Sequence, residues 1–594
     1  MDLVTVLRQA GVQRGDLAGL AVAPDGTAAV ALADAGWTGP ASALPQADEA
    51  LRPRWVTWSQ ETAQRLVPSG VRLATCWDVA AAHRLLFGGW RADPGWAWAH
   101  LRGLPVDEVP APGPHSAGEA DLFDAAKEHA AAARGPAAAA DPAGAAGAAG
   151  AAGDGPDPVG PDGHLSPEWT RGGWADSPAR LQAWARLARE AAELQSAALA
   201  SSGGGGMAVA TARSESTAEL LCAELSADGL PMDRAVAEQV LTGIIGPRPR
   251  GEAEAAAMRA ARDGEVLRHA PAGVTADLRS PAQVRSLLAA AGVEVPDTRA
   301  WRLEEFRDSH PMVAALLEWR KAERIVTTYG YAWLDEHLGP DGRLRGEWTG
   351  ADGAAGRMTA SNGLHNMPAA MRRAVIAAPG HALVRADLGQ IEPRVLAAVS
   401  GDQALAAATS ADDLYLPVAG QLGVDRPTAK VAMIAAMYGQ TTGHGGQAGR
   451  RMRAAYPVAM AYLDSADRSA RAGRDLRTYG GRLVRMSGGS ADAARVAARG
   501  RYGRNALIQG AAAELFKMWA VTVRARGLPL GARIVLCLHD ELLVHVPFDQ
   551  AEPTARLVGD CLDEAAGRWA PGARGAGVRF IADISVVRSW ADAK

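Results

Sequence analysis

The chain has 594 residues, 48% of them hydrophobic and 22% charged, with a net charge of −4. At roughly 150 residues per domain this length implies about four domains. No run approaches the ~18 uninterrupted apolar residues of a membrane span, which excludes a membrane-spanning protein and leaves a soluble, cytoplasmic one as the expectation.

Residues 1–125 read as a small α/β unit, with a hairpin around Pro24-Asp25-Gly26, a strand from Arg54 to Trp58 and a helix after Asp78. The first residues, Met1 to Gln9, lack the apolar core and small-residue cleavage site of a secretory signal. Residues 126–175 are predicted to be a flexible linker, since Ala, Gly, Pro and Asp dominate and too little apolar bulk remains to pack. After a second breaker at Gly203–Gly206, the stretch from Ser214 to His337 reads as largely helical. Cys76, Cys222, Cys537 and Cys561 show no C-x-x-C spacing, so reduced thiols are expected, with neither a disulfide framework nor a structural zinc site. Residues 426–526 carry 18 Lys and Arg against 5 Asp and Glu, a local +13 inside an acidic chain. That block is either a solvated helical surface or the footprint of phosphate-backbone contact.

The residues that carry chemistry lie in the C-terminal half. A short apolar strand ends at Asp387 and runs into a helix through Gln390 and Glu392, where Pro393 is tolerable only near the helix start. Two further apolar strands flank His539-Asp540-Glu541, a hairpin with Asp540 at its tip. Singly, each acid is more often a turn or cap residue than a ligand. Together they could hold a pair of hard cations, as two-metal phosphoryl transfer requires. Arg426, Lys430, Ile434 and Tyr438 recur every fourth residue and share one helical face, presenting two cations and then an aromatic ring. Among 57 Arg and only 5 Lys, a lysine at this place suggests that a compact ammonium is wanted, although an ordinary exposed basic face stays open. Arg501, Asn505 and Gln509 repeat the spacing, as surface or as readers of acceptors in a duplex minor groove.

These segments carry a resemblance. Asp387 to Ala397 resembles motif A of the family A (polymerase I type) DNA polymerases, Arg426 to Gly439 resembles their motif B helix, and His539-Asp540-Glu541 resembles motif C. Gly356-Arg357 leading to Asn366-Met367-Pro368, Gly481-Arg482, and Arg501 to Gly510 are similar to further family segments, so the resemblance runs from about Ser214 to the C-terminus. The actinobacterial bifunctional 3'-5' exonuclease/DNA polymerase branch looks most similar. The resemblance implies an α/β exonuclease-like (RNase H-like) domain at 1–125 and an α+β right-hand polymerase. The hand divides into a thumb at 176–345, palm at 346–402 and 498–594, and fingers at 403–497.

By matching position, Asp387 and Asp540 would hold two Mg²⁺ ions, with Mn²⁺ a possible substitute. Arg426 and Lys430 would clamp the triphosphate, Lys430 doubling as proton donor to pyrophosphate. Gln390, Glu392, Ile434, Tyr438 and Gly439 would shape the nucleotide pocket, Glu392 blocking a ribose 2'-hydroxyl. Arg357, Asn366, Arg501, Asn505, Gln509 and His539 would hold the DNA. The implied partners are primer–template DNA and dNTPs, with no membrane, for a monomer associated with the bacterial nucleoid.

The sequence departs from the family pattern at Ile434, where an aromatic is usual, at Leu388-Gly389, where Tyr-Ser is usual, and between Gly356 and Pro368, which is one residue short. Residues 1–125 also lack an Asp-x-Glu on a strand, which predicts a degenerate exonuclease-like domain. Two other readings stand beside the polymerase: a DNA-binding repair scaffold with a weakened site, and a single-subunit RNA polymerase, which fits Gln390-Ile391-Glu392 and His539-Asp540-Glu541 less well.

Overall fold

The computed structural model describes residues 1–109, 157–202, 205–439, 444–486, 492–572 and 577–593. Two compact units emerge. The first gathers Met1–Asp228, Glu347–Ser361 and Gly380–Val586; the second gathers Gly229–Gly346, Asn362–Pro379 and Val587–Lys594.

The first unit opens on a five-stranded sheet. Strands β1 (Leu17–Val22) and β2 (Thr27–Ala31) form the predicted hairpin, with Asp25 accepting a 2.9 Å hydrogen bond from the Thr27 amide and Gly26 supplying the left-handed φ of +85°. β3 (Gly36–Pro40) extends it antiparallel, while β4 (Arg54–Thr57) and β5 (Cys76–Asp78) add on the other side in parallel, giving the order β3-β2-β1-β4-β5. Helix α1 (Val79–Phe87) follows at once, because the Asp78 carboxylate accepts from the Ala81 amide at 2.8 Å and satisfies a donor the helix start leaves free.

Both faces of this sheet are apolar, so both need cover. Ala18, Leu20 and Val22 of β1 face a core shared with Leu3, Leu7, Leu220 and Ala223, and Ala21 faces one shared with Leu181, Trp184, Ala185 and Ala188. The second face is closed by helix α2 (Pro178–Ser201), and the first partly by helix α3 (Gly205–Asp228). Gln182 donates to the Val30 carbonyl at 2.7 Å and the Trp58 indole donates to the Trp184 carbonyl at 3.2 Å. Gly19 lets α2 approach, because a Cβ there would overlap the Ala185 carbonyl.

Two expectations are corrected here. The stretch 176–201, read as the start of a thumb, covers the N-terminal sheet instead, since without it one sheet face would be bare. The cut after residue 125 for the same reason separates strands from their own cover. Of the expected linker, 126–156 lies outside the described residues; 157–175 carries a short helix, Pro167–Thr170, whose Trp169 is buried in the sheet core.

A second sheet, from the C-terminal half, also belongs to the first unit. It comprises β6 (His381–Leu388), β7 (Arg533–Leu538), β8 (Glu541–Pro547) and β9 (Ala582–Val587), in the order β7-β8-β6-β9. β7 and β8 make the predicted hairpin, and β8 lies antiparallel to β6 with Asp387 opposite Glu541. Three helices complete the frame of the site: α4 (Ile391–Ser400), α5 (Arg426–Tyr438) and α6 (Ala493–Gly527).

A buried ion cluster ties α3 to α6. Lys517 Nζ and Arg482 Nη2 each meet Glu215 Oε2 at 2.5 Å, and Lys517 also donates to the Gly350 and Gly356 carbonyls at 3.1 and 2.7 Å. Gly356 has φ +64° and lies so close to the Arg482 guanidinium that a Cβ would overlap it, which accounts for glycine before Arg357.

The second unit is helical, with Glu252–Leu267, Pro281–Ala290 and Pro311–Tyr329 burying Val266, Val284, Leu287, Leu288, Met312 and Leu316 together. Among the described residues no helix is long and apolar enough to cross a membrane, and all four cysteines are free and buried.

Candidate active site

Asp387 is the penultimate residue of β6, and Asp540 occupies the tight turn between β7 and β8 beside the exposed His539. The Leu388 amide donates to the Asp540 carbonyl at 2.7 Å, which fastens the end of β6 to that turn. Burial and then the Asp540 charge push the Asp387 carboxyl up to about 6, against the pull of Arg385. Burial and then Glu541 raise Asp540 as well, so both carboxyls resist ionising in a half-buried place, Asp387 partly because of the Asp540 charge. Such a pair attracts divalent cations.

Among the described residues no three His, Cys, Asp or Glu side chains converge into a complete metal cage. Two half-buried carboxylates nevertheless fit Mg²⁺, which keeps several waters and takes one or two carboxylates plus substrate phosphates. The donor chemistry of Asp387 and Asp540 therefore suits the implied ions.

Sequence reading missed Arg385. It lies two residues before Asp387 on the same strand face, and its guanidinium reaches Asp387 Oδ2 at 2.6 Å, Glu541 Oε1 at 2.9 Å and Asp583 Oδ2 at 3.2 Å. The i, i+2 spacing was the available signal. Arg394 was missed too, read only as part of a helix. It is fully buried, and its guanidinium donates to the carbonyls of Gly389, Thr409, Ala411, Asp412 and Arg579 at 2.6–3.0 Å. Gln390, expected at the nucleotide, accepts at Oε1 from the Leu414 amide at 3.1 Å and has a left-handed φ of +48°. Its side-chain oxygen thus helps fix the chain entering the Tyr415 helix.

Glu392 follows in the first turn of α4, paired with Arg357 at 3.1 Å; burial raises its carboxyl despite that partner. Burial and then the Glu392 charge raise the Tyr415 hydroxyl, and Arg426 stands 5.6 Å over that ring while pairing with Asp413. Arg426, Lys430 and Tyr438 form an exposed face of α5, as spacing predicts, with Ile434 half-buried among them. Asp425 caps the helix by accepting from the Thr428 amide at 2.9 Å, and Gly439 ends it with φ +66°. Gln509 Nε2 donates to Tyr438 Oη at 3.1 Å, which joins α5 to the expected DNA face of α6. On that face Arg501 is exposed and Asn505 half-buried, its Oδ1 without a partner among the described residues. Asn366 belongs to the second unit, where its carbonyl accepts from Arg324 at 3.1 Å.

The +13 block is less available than its composition suggests. Arg482, Arg504 and Lys517 are buried, and Arg504 holds the Ala436 carbonyl at 2.7 Å and Asp464 at 2.6 Å. Arg524 is committed to Glu224 at 2.7 Å.

A family model described as DNA polymerase family A matches residues 253–592. The chain belongs to that family. Similar curated proteins include DNA polymerase I of Chloroflexus aurantiacus, 34% identical over 290 residues, covering 44% of this chain and 31% of that protein. DNA polymerase I of Deinococcus radiodurans is 29% identical over 335 residues, 50% of this chain and 35% of that protein. The chain spans about a third of the length of these relatives. A solved structure, the POL domain of Pol1 from M. smegmatis in complex with DNA primer-template and dNTP, matches with a TM-score of 0.66 at 20% identity, over 100% of this chain and 98% of that one. It shares the fold.

Against the family A pattern, the departures in motif A have a local cause. Leu388 is buried, and the Gly389 amide donates to the Ile581 carbonyl at 3.0 Å, with a Cβ on residue 389 only 2.9 Å from Ile581 Cγ1. A serine there would crowd the strand entering β9.

Proposed function

We propose that this chain is a DNA-templated DNA polymerase that transfers a nucleotide from a dNTP to a primer 3'-hydroxyl. The observation that carries this reading is the repelling pair Asp387 and Asp540, held on adjoining strand ends in a protein of family A. Two Mg²⁺ ions bound there would activate the 3'-hydroxyl and stabilise the leaving pyrophosphate. Arg426 and Lys430 meet the triphosphate from the exposed face of α5, and Lys430 hands a proton to the departing pyrophosphate. Glu392, fixed by Arg357, stands against the ribose, while Tyr438 and Gln509 link the nucleotide pocket to the DNA surface of α6.

The N-terminal sheet is an exonuclease-like domain without exonuclease chemistry. Its clearest acids are already used, Asp25 in a turn and Asp78 as a helix cap, and hydrolysis of a 3' nucleotide needs several carboxylates converging on two cations. A scaffold with a weakened polymerase site is the second reading, favoured by Ile434, which offers no ring for stacking. Stacking on an aromatic is worth about 1–3 kcal/mol, so nucleotide binding could weaken roughly 5- to 150-fold.

Primer extension by the full chain with Mg²⁺ and four dNTPs tests the proposal. Asp387→Asn and Asp540→Asn should each abolish extension while duplex affinity persists. Extension at the parental rate in either variant refutes the assignment, and no extension by the parent protein favours the scaffold. A mismatched 3' terminus should stay untrimmed; Mg²⁺-dependent trimming would show that the N-terminal domain has metal ligands of its own.

A further inference from the structure

We propose that Arg385 is an internal counter-cation that competes with divalent ions for Asp387, so that metal binding requires the guanidinium to let go of one carboxylate oxygen. The inference rests on the polymerase reading of Asp387 and names how that site is tuned.

Arg385 spends its three nitrogens on three acids from three neighbouring strands: Asp387 on β6, Glu541 on β8 and Asp583 on β9. The planar fork suits this, since each N–H can meet a different carboxylate without bending the side chain out of register. Arg385 and Glu541 are nearly buried, whereas the Asp387 side chain is 34% exposed and that of Asp583 68%. The inner partner, Glu541, thus anchors the guanidinium, while the bond to Asp387 is made to a partly exposed carboxylate. That bond is a 2.6 Å charge-assisted contact on Oδ2. A divalent ion approaching Asp387 finds one oxygen committed and a positive charge beside it. Both lower its affinity relative to what Asp387 and Asp540 would give alone. The same contact lowers the repulsion between the two acids, so the protein tolerates them together.

A structural role for Arg385 and a competing one predict opposite signs. Mn²⁺ binding to the full chain, without DNA, at fixed pH and salt, is read by electron paramagnetic resonance of the free ion. Arg385→Ala and Arg385→Gln should bind Mn²⁺ about tenfold more tightly than the parent. Arg385→Lys, which keeps the charge but can meet only part of the cluster, should fall between. Gln is the variant expected to fold best, because its amide can still donate to Glu541; thermal unfolding confirms the fold of each. Unchanged or weaker Mn²⁺ binding in folded Gln and Lys variants overturns the inference. Asp387→Asn separates the two levels. If it abolishes Mn²⁺ binding while the Arg385 variants leave affinity unchanged, only the competition fails. If it leaves Mn²⁺ binding intact, the metal-site reading itself fails.

Discussion

Replacing Asp387 by Asn should make the protein more stable as it makes it inactive. Asp387 is lifted from an ordinary 3.8 to about 6, mainly by burial and by Asp540, so keeping it ionised in the fold costs free energy that the unfolded chain does not bear. At 1.36 kcal/mol per unit the shift corresponds to about 3 kcal/mol, which a side chain one-third exposed reduces to about 1–2 kcal/mol through solvent screening. The sign follows from the folded value being the higher one. This group favours the fold most below pH 3.8, and the contribution is lost as pH rises towards about 6. The neutral amide avoids that loss. In urea unfolding with EDTA present, Asp387→Asn should therefore exceed the parent by about 1–2 kcal/mol at pH 7.5, with the gap closing between pH 6 and 4. Adding Mg²⁺ should narrow the gap at pH 7.5, because the ion stabilises only the protein that binds it. A variant less stable than the parent at pH 7.5, or a gap indifferent to pH, would refute the reasoning.

Three further outcomes are expected. Arg394→Lys should destabilise the first unit by about 3 kcal/mol in the same unfolding assay, because an ammonium has three donors for the five carbonyls Arg394 serves; a loss under 1 kcal/mol would show that the loop rearranges freely. Arg501→Ala should reduce the slope of log DNA affinity against log salt by about one, whereas the buried Arg504 contributes nothing to it, so equal slopes for Arg501→Ala and the parent would remove Arg501 from the phosphate contacts. Glu392→Ala should raise ribonucleotide incorporation roughly tenfold, equivalent to ~1.4 kcal/mol of lost discrimination, measured as the ratio of kcat/KM for rNTP and dNTP; an unchanged ratio would place the sugar gate elsewhere.

Much of the site was legible because its signals are local. A strand ending at Asp387, a tight hairpin around Asp540 and an i+4 row on α5 each follow from spacing within a dozen residues. Arg385 and Arg394 escaped for the opposite reason. Their roles depend on Glu541, Asp583, Thr409 and Arg579, far away in sequence; only the i, i+2 spacing of Arg385 to Asp387 is a local sign, and Arg394 has none. The basic block misled in the same way, since counting charges cannot tell Arg501 on the surface from Lys517 locked under Glu215. The N-terminal boundary failed through composition: a run of Ala and Gly looks like a border between domains, yet here the chain returns after it to finish the unit it left.

That return has a practical side. The strands of the N-terminal sheet end before Val109, and the helix that covers one of their faces begins at Pro178, with Leu181, Trp184, Ala185 and Ala188 pressed into the same core as Trp58 and Trp77. Their association is carried by this shared core. A protease site placed between Val109 and Asp157 should yield two polypeptides that co-purify and separate only on denaturation, and the two pieces, expressed apart, should reassemble on mixing. The N-terminal sheet is in this sense built from two pieces of chain, each supplying part of one core.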